Sequence, residues 1–216
     1  MTLSEENYIK TIYHLGRNSD SATTNAIAER METKASSVTD MLRKLAEKGL
    51  IDYKKYQGVT LTDAGLHAAK MIVRKHRLWE VFLVNKLDFA WDEVHDIAEQ
   101  LEHIRSDKLI EKLDNFLGNP QTDPHGDPIP DANGNITGIS KMLLSDLRPG
   151  IEAVCVGVRD SSSAFLQYLD SRNIALGTSI TVESREHFDG SMVIIASGKP
   201  LSVSQKISEN IYVKTN

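Results

Sequence analysis

The 216-residue chain has a single cysteine, Cys155. No intramolecular disulfide and no multi-cysteine zinc site can be built from it, and a reducing, cytoplasmic compartment is the expected setting. No stretch of 18 apolar residues occurs, so no membrane span and no membrane partner are expected. The opening Met1-Thr2-Leu3-Ser4-Glu5-Glu6 is acidic and lacks the apolar core of a secretory signal. There is no Gly-x-Ser-x-Gly and no glycine-rich loop ahead of Lys-Ser/Thr, so neither a nucleophile elbow nor a phosphate loop announces itself. Internal repeats and low-complexity tracts are missing as well. Charge of one sign is also modest, at a net −5, but it is unevenly placed. Residues 1–78 hold 13 Lys+Arg against 9 Asp+Glu, whereas residues 79–216 hold 12 against 21. A basic first third suits a polyanion, and an acidic remainder suits a cation.

With 40% hydrophobic and 25% charged residues the chain has the composition of a globular protein rather than a disordered one. Apolar spacing predicts a helix over 3–16, opened by a capping box at Thr2 and Glu5. A short helix over Thr24–Met31 and a second over Ala35–Lys48, ended by Gly49, follow within a few residues of each other. Ile51–Tyr53 and Val59–Leu61 alternate like a hairpin around Gln57-Gly58. Helix, helix, tight turn, helix, hairpin is the order of a winged helix-turn-helix. Thr24 and Asn25 open its first turn-flanking helix. Lys34, Ser36, Ser37, Thr39 and Lys44 are outward positions of the second, small or cationic enough to reach bases and phosphates. Lys54 and Lys55 on the hairpin suit phosphate contact. A palindromic double-stranded operator read by a homodimer is the expected partner.

A long helix is predicted over Thr62–Val84 and a pair of helical stretches over Trp91–Leu117, broken near Ser106. Their apolar faces exceed the needs of one small domain, and dimerisation would use the excess. Gly118–Gly138, rich in Gly, Pro, Asp and Asn, reads as a linker. Beyond it, strands at Ala153–Val158, Ser179–Glu183, Ser191–Ala196 and Ile211–Lys214, with a helix at Ser163–Ser171, read as a small, partly open β-barrel. The fold class is mainly α with β. Its expected parts are a DNA-binding domain over 1–64, a helical metal-binding and dimerisation domain over 65–140 including the linker 118–140, and a β domain over 141–216.

The chemistry concentrates on the middle third. His95, Glu99, Glu102 and His103 fall within an arc of roughly 100° on one helix, opposite Ile97, Leu101 and Ile104. His76 and Glu80 repeat the i, i+4 spacing on the preceding helix, and His125 sits in Asp123-Pro124-His125-Gly126-Asp127. Imidazole beside carboxylate is the usual donor set of a first-row divalent metal. A metallo-hydrolase could use the same groups, and a metal-independent winged-helix regulator would leave them solvated. Both alternatives stay open at the level of spacing.

The motifs Arg74-Lys75-His76-Arg77-Leu78-Trp79-Glu80, Val94-His95-Asp96-Ile97-Ala98-Glu99, Leu101-Glu102-His103 and Asp123-Pro124-His125-Gly126 resemble those of the metal-dependent bacterial repressors that include the diphtheria toxin repressor and the manganese transport regulators. The resemblance covers essentially the whole chain, in the long form with a C-terminal SH3-like, FeoA-like domain. It implies a non-enzymatic repressor of metal-uptake genes, activated by Mn(II) or Fe(II), with Zn(II) or Co(II) as surrogates. It implies two metal sites. One would use Glu99, Glu102 and His103 with a ligand from the first helix; the other would use His76, Glu80 and His95 with Asp123, His125 and Asp160. The chain departs from the pattern at the first helix, where Asn7 and then Lys10 stand at the ligand positions. That departure makes the site around Glu80 and His125 the stronger expectation.

Overall fold

A computed structural model describes residues 1–17, 21–54, 58–138 and 140–215. Its chain packs into two compact units. One comprises Met1–His76, Glu99–Lys112 and Pro130–Ile136; the other comprises Arg77–Ala98, Leu113–Ile129 and Thr137–Asn216.

In the first unit α1 (Leu3–Gly16) starts with the predicted capping box. The Thr2 hydroxyl accepts the Glu5 N–H, and the Glu5 carboxylate accepts the Thr2 N–H at 2.9 Å. Helix α2 (Thr24–Arg30) is capped by Thr23, whose hydroxyl accepts the Ala26 N–H, and α3 (Ala35–Glu47) follows after four residues. Gly49 leaves α3 at φ +69°, a conformation that suits glycine just past a helix end. Strands β1 (Ile51–Lys54) and β2 (Gly58–Leu61) pair antiparallel, with Ile51 opposite Leu61 and Lys54 opposite Gly58. A bridge between Ala22 and Val59 ties the start of α2 to this wing. The predicted Lys55 and the turn at Gln57 lie outside the described residues. Ile9, Ile12, Ile27, Val38, Leu42 and Leu45 are fully buried and form the core of this part. Each buried aliphatic side chain of this size contributes about 1.5–3 kcal/mol relative to exposure.

Helix α4 (Asp63–Leu87) contributes to both units, and it runs three residues beyond the predicted end. Helices α5 (His95–Leu101) and α6 (Asp107–Phe116) are separated by a break that contains Ser106, as the sequence suggested.

The second unit carries a six-stranded antiparallel sheet in the order β3-β8-β4-β5-β6-β7. Its strands are β3 (Met142–Leu143), β4 (Glu152–Val158), β5 (Ser179–Arg185), β6 (Met192–Ala196), β7 (Lys199–Val203) and β8 (Ile211–Thr215). Helix α7 (Ser163–Ser171) buries Leu166 and Leu169 against it, and α8 (Gln205–Ser208) is a single turn. The core holds Leu144, Ile174, Ile180, Ile194, Ile211 and Val213, with Trp91 packed onto it. Strand β7 was not predicted. Pro200 argues against a strand interior, but β7 is the sheet's edge, where a missing N–H costs no ladder bond. A register shift in β4 between Cys155 and Gly157 bends that strand where the linker meets it.

Candidate metal centre

In the second unit three groups from two segments converge. Glu80 on α4 is 2% exposed, and Asp123 and His125 in the linker are comparably buried. One ligand atom from each lies within 4.8 Å of the others. His125 Nδ1 is 3.8 Å from Glu80 Oε1, and His95 Nδ1, on the half-exposed first residue of α5, is 3.7 Å from the same oxygen.

The linker is regular enough to hold this geometry. Asp123 Oδ1 accepts the N–H groups of His125 and Asp127, both at 2.9 Å. Val158 at the end of β4 donates its N–H to the His125 carbonyl at 2.9 Å. Gly126 sits at φ +83°, and a Cβ there would lie 2.1 Å from the Val156 carbonyl oxygen. Only glycine lets the linker lie this close to the bent β4. Arg77 braces the same segment. Its Nε is 3.3 Å from Asp123 Oδ2, and its guanidinium donates to the Pro128 carbonyl and to Asp127.

The imidazole of His125 is oriented for coordination. Its Nε2 is 2.8 Å from the Trp91 carbonyl oxygen, which can only accept, so Nε2 carries the proton. In the neutral ring the lone pair is then on Nδ1, the atom that faces Glu80. A backbone carbonyl that fixes the tautomer of a ligating histidine is the usual outer support of a metal site. The Trp91 ring stacks on the imidazole at 6.1 Å, with 15° between the planes.

Asp123 carries the electrostatic signature of a site that wants a cation. Burial pushes its carboxyl up to about 6, and the Glu80 carboxylate beside it pushes in the same direction, against the pull of Arg77. Arg77 offsets part of the repulsion between these two buried carboxylates from the Asp123 side, and a dication between them would offset more. The donor set is oxygen and imidazole, which suits Mn(II) or Fe(II). A dication fits these residues.

The other predicted ligands are distributed differently. In the first unit His76, Glu99 and Glu102 also place ligand atoms within 4.8 Å of one another. The Lys10 ammonium stands among them, 2.8 Å from Glu99 Oε1, 2.6 Å from Glu102 Oε2 and 3.3 Å from His76 Nδ1. His103 pairs with Glu6 at 2.7 Å and lies 3.9 Å from Glu102. Asn7 Oδ1 is buried and accepts no hydrogen bond. Asp160 is outside both groups, and its Oδ1 accepts the Ser162 N–H at 2.9 Å. Spacing alone did not single out Glu6 as the partner of His103, Arg77 as the brace of Asp123, or the Trp91 carbonyl. Arg77 lay within a quoted motif; the carbonyl has no side-chain signal at all.

Of the predicted DNA contacts, Asn25, Lys34, Ser36, Ser37, Lys44 and Lys54 are exposed. Thr24 and Thr39 are half-buried, and the Thr39 hydroxyl donates to the Ala35 carbonyl at 3.0 Å.

Family models match nearly the whole length in three parts. The iron-dependent repressor N-terminal DNA-binding domain matches residues 1–59, its metal-binding and dimerisation domain matches 62–131, and the FeoA domain matches 142–215. A manganese-dependent transcriptional repressor solved in complex with manganese is 38% identical, covers 98% of this chain and all of its own, and superposes with a TM-score of 0.86. The chain belongs to the iron-dependent repressor family. An uncharacterised HTH-type transcriptional regulator of Methanocaldococcus jannaschii is 36% identical over 54% of this chain and 94% of its own length. The iron-dependent repressor IdeR of Mycobacterium leprae is 35% identical over 58% of this chain, and the match spans about half of that relative, 54% of its length. Members of the family are transcriptional repressors rather than enzymes. No helix among the described residues is long and apolar enough to cross a membrane.

Proposed function

We propose that this chain is a cytoplasmic, metal-activated repressor that binds a palindromic operator as a homodimer and silences metal-uptake genes. The observation that carries the reading is the buried trio of Glu80, Asp123 and His125, whose ligand atoms converge, with the His125 ring held by the Trp91 carbonyl so that Nδ1 faces Glu80. Mn(II) or Fe(II) would bind these donors and link the linker to α4, with Zn(II) or Co(II) able to substitute. His95 would turn inward from its exposed position. Asp160, two residues past the Val158–His125 hydrogen bond, would add a further oxygen. The divisions 1–64, 65–140 and 141–216 would serve DNA reading, metal binding with dimerisation, and support of the linker.

The chain's own residues do the remaining work. Lys34, Ser36, Ser37 and Lys44 on α3 present donors to bases and phosphates, and Lys54 presents a charge at the wing. Phe116 at 63% exposure and Leu87 at 51% are apolar surface of the kind a dimer covers. Metal can favour the DNA-binding form only as far as it binds that form more tightly.

The test is operator binding by fluorescence anisotropy, titrated separately with Mn(II), Fe(II) and Zn(II), on DNA selected by the protein from a random pool. Affinity should rise with Mn(II) or Fe(II) and fall again with a chelator. Full binding by metal-free protein, unchanged by any ion, overturns the reading.

A further inference from the structure

The cluster in the first unit has the ligands of a metal site but contains its own cation. We propose that the Lys10 ammonium is a resident monovalent substitute for a metal ion, which closes this cluster permanently and leaves the chain with one regulatory ion per subunit. The occupancy of the cluster by Lys10 is independent of the function proposed above; the count of one rests on that reading.

The geometry is specific. Lys10 is 7% exposed, His76 7% and Glu102 0%, so the ammonium is enclosed rather than resting on the surface. The ammonium donates to Glu99 Oε1 at 2.8 Å and to Glu102 Oε2 at 2.6 Å, and His76 Nδ1, 3.3 Å from it, donates to the same Glu102 Oε2 at 2.6 Å. An ammonium has no lone pair, so it cannot join a coordination shell; it can only hold the place of the ion. A dication would have to expel a buried charge already paired with two carboxylates, and removing one partner from such a pair is costly.

Two further acceptors show what the substitution leaves undone. Glu102 Oε1 and Asn7 Oδ1 are both buried and neither accepts a hydrogen bond. Asn7 is three residues before Lys10 on α1, on the same side of the helix. The ammonium serves Glu99 Oε1 and Glu102 Oε2, and neither of these two further acceptors receives a proton from it. The residues around Lys10 therefore do not fit a divalent ion while Lys10 is present, and would offer one a near-complete oxygen and nitrogen set without it.

The test counts bound Mn(II) per full-length chain by equilibrium dialysis with elemental analysis, in a Glu80→Gln background that disables the other site. With native Lys10 the expected count is zero. Lys10→Glu and Lys10→Met should each raise it toward one, and adding Glu102→Gln should remove that ion. The same variants have a second readout. Without metal, Lys10→Met should melt several degrees below its parent, because the buried Glu102 and the half-buried Glu99 lose their cation, and Mn(II) should restore the midpoint. Mn(II) should not shift the parent. A Glu102-dependent ion bound while Lys10 is native overturns the proposal, whether or not the Lys10 variants fold. So does a folded Lys10→Met protein that neither loses stability nor gains an ion. Failure of the proposed function would appear elsewhere, as equal Mn(II) binding by the wild type and by Glu80→Gln.

Discussion

The raised Asp123 carboxyl makes a quantitative prediction about the metal-free protein. In the folded state it titrates at about 6, against an ordinary value of 3.8, because it is buried and faces Glu80. Below about pH 3 it is protonated in folded and unfolded chains alike. As pH rises the unfolded chain releases the proton first, so stability falls until the folded carboxyl also ionises above pH 6. A shift of about two units at 1.4 kcal/mol each costs about 3 kcal/mol by pH 8. Asp123→Asn removes this titration while keeping an oxygen for the His125 and Asp127 N–H groups. The variant also loses the Arg77 attraction, but that loss is not paid at acid pH by a protonated wild type. Denaturant unfolding can be followed by the fluorescence of Trp79 and Trp91, both in the unit that contains the site. With chelator present, the variant should gain about 3 kcal/mol on the wild type between about pH 3 and pH 8. Saturating Mn(II) should remove the gain, since the ion then stabilises the ionised carboxylate. A flat difference across this range, or a wild type that gains on the variant as pH rises, would refute the electrostatic account of the site.

Other consequences follow from the same contacts. Gly126→Ala would drive a methyl into the Val156 carbonyl at a positive φ; it should cost about 1–3 kcal/mol and weaken Mn(II) binding measured by calorimetry. Lys44→Ala on α3 should weaken operator binding and reduce the slope of log affinity against log salt by about one, with Mn(II) affinity in the absence of DNA unchanged. Cys155 is 1% exposed and its thiol is pushed up to about 11 by burial, so iodoacetamide should label it only after unfolding. Labelling of the native chain at the rate of a free thiol would contradict that burial.

The elements that were legible in the sequence are those whose signals are local. The Thr2/Glu5 capping box, Gly49 and the spacing of Val38, Leu42 and Leu45 each speak within one or two turns, and α1 and α3 appear where they pointed. Strand β7 was hidden because Pro200 is tolerated only at an edge, and edge position is a property of the finished sheet. The ligand types were legible from His–carboxylate spacing, but their grouping was not. Glu99 and Glu102 share a helix-side pattern with His95 and His103, yet contacts remote in sequence sort them. Lys10 claims Glu99 and Glu102, Glu6 claims His103, and the linker brings Asp123 and His125 to Glu80. The departure at Asn7 and Lys10 was visible in the sequence; that the lysine would enter the cluster required the side chain's reach in three dimensions.

On the function proposed here, the ion held by Glu80, Asp123 and His125 and the operator favour the same state of the protein. Calorimetric Mn(II) affinity, measured with and without saturating operator DNA, tests it directly. Coupling between two ligands is reciprocal, so DNA should tighten Mn(II) by the same factor that Mn(II) tightens DNA, roughly 5- to 150-fold for a typical allosteric pair. Equal Mn(II) affinity in the two conditions would contradict the account.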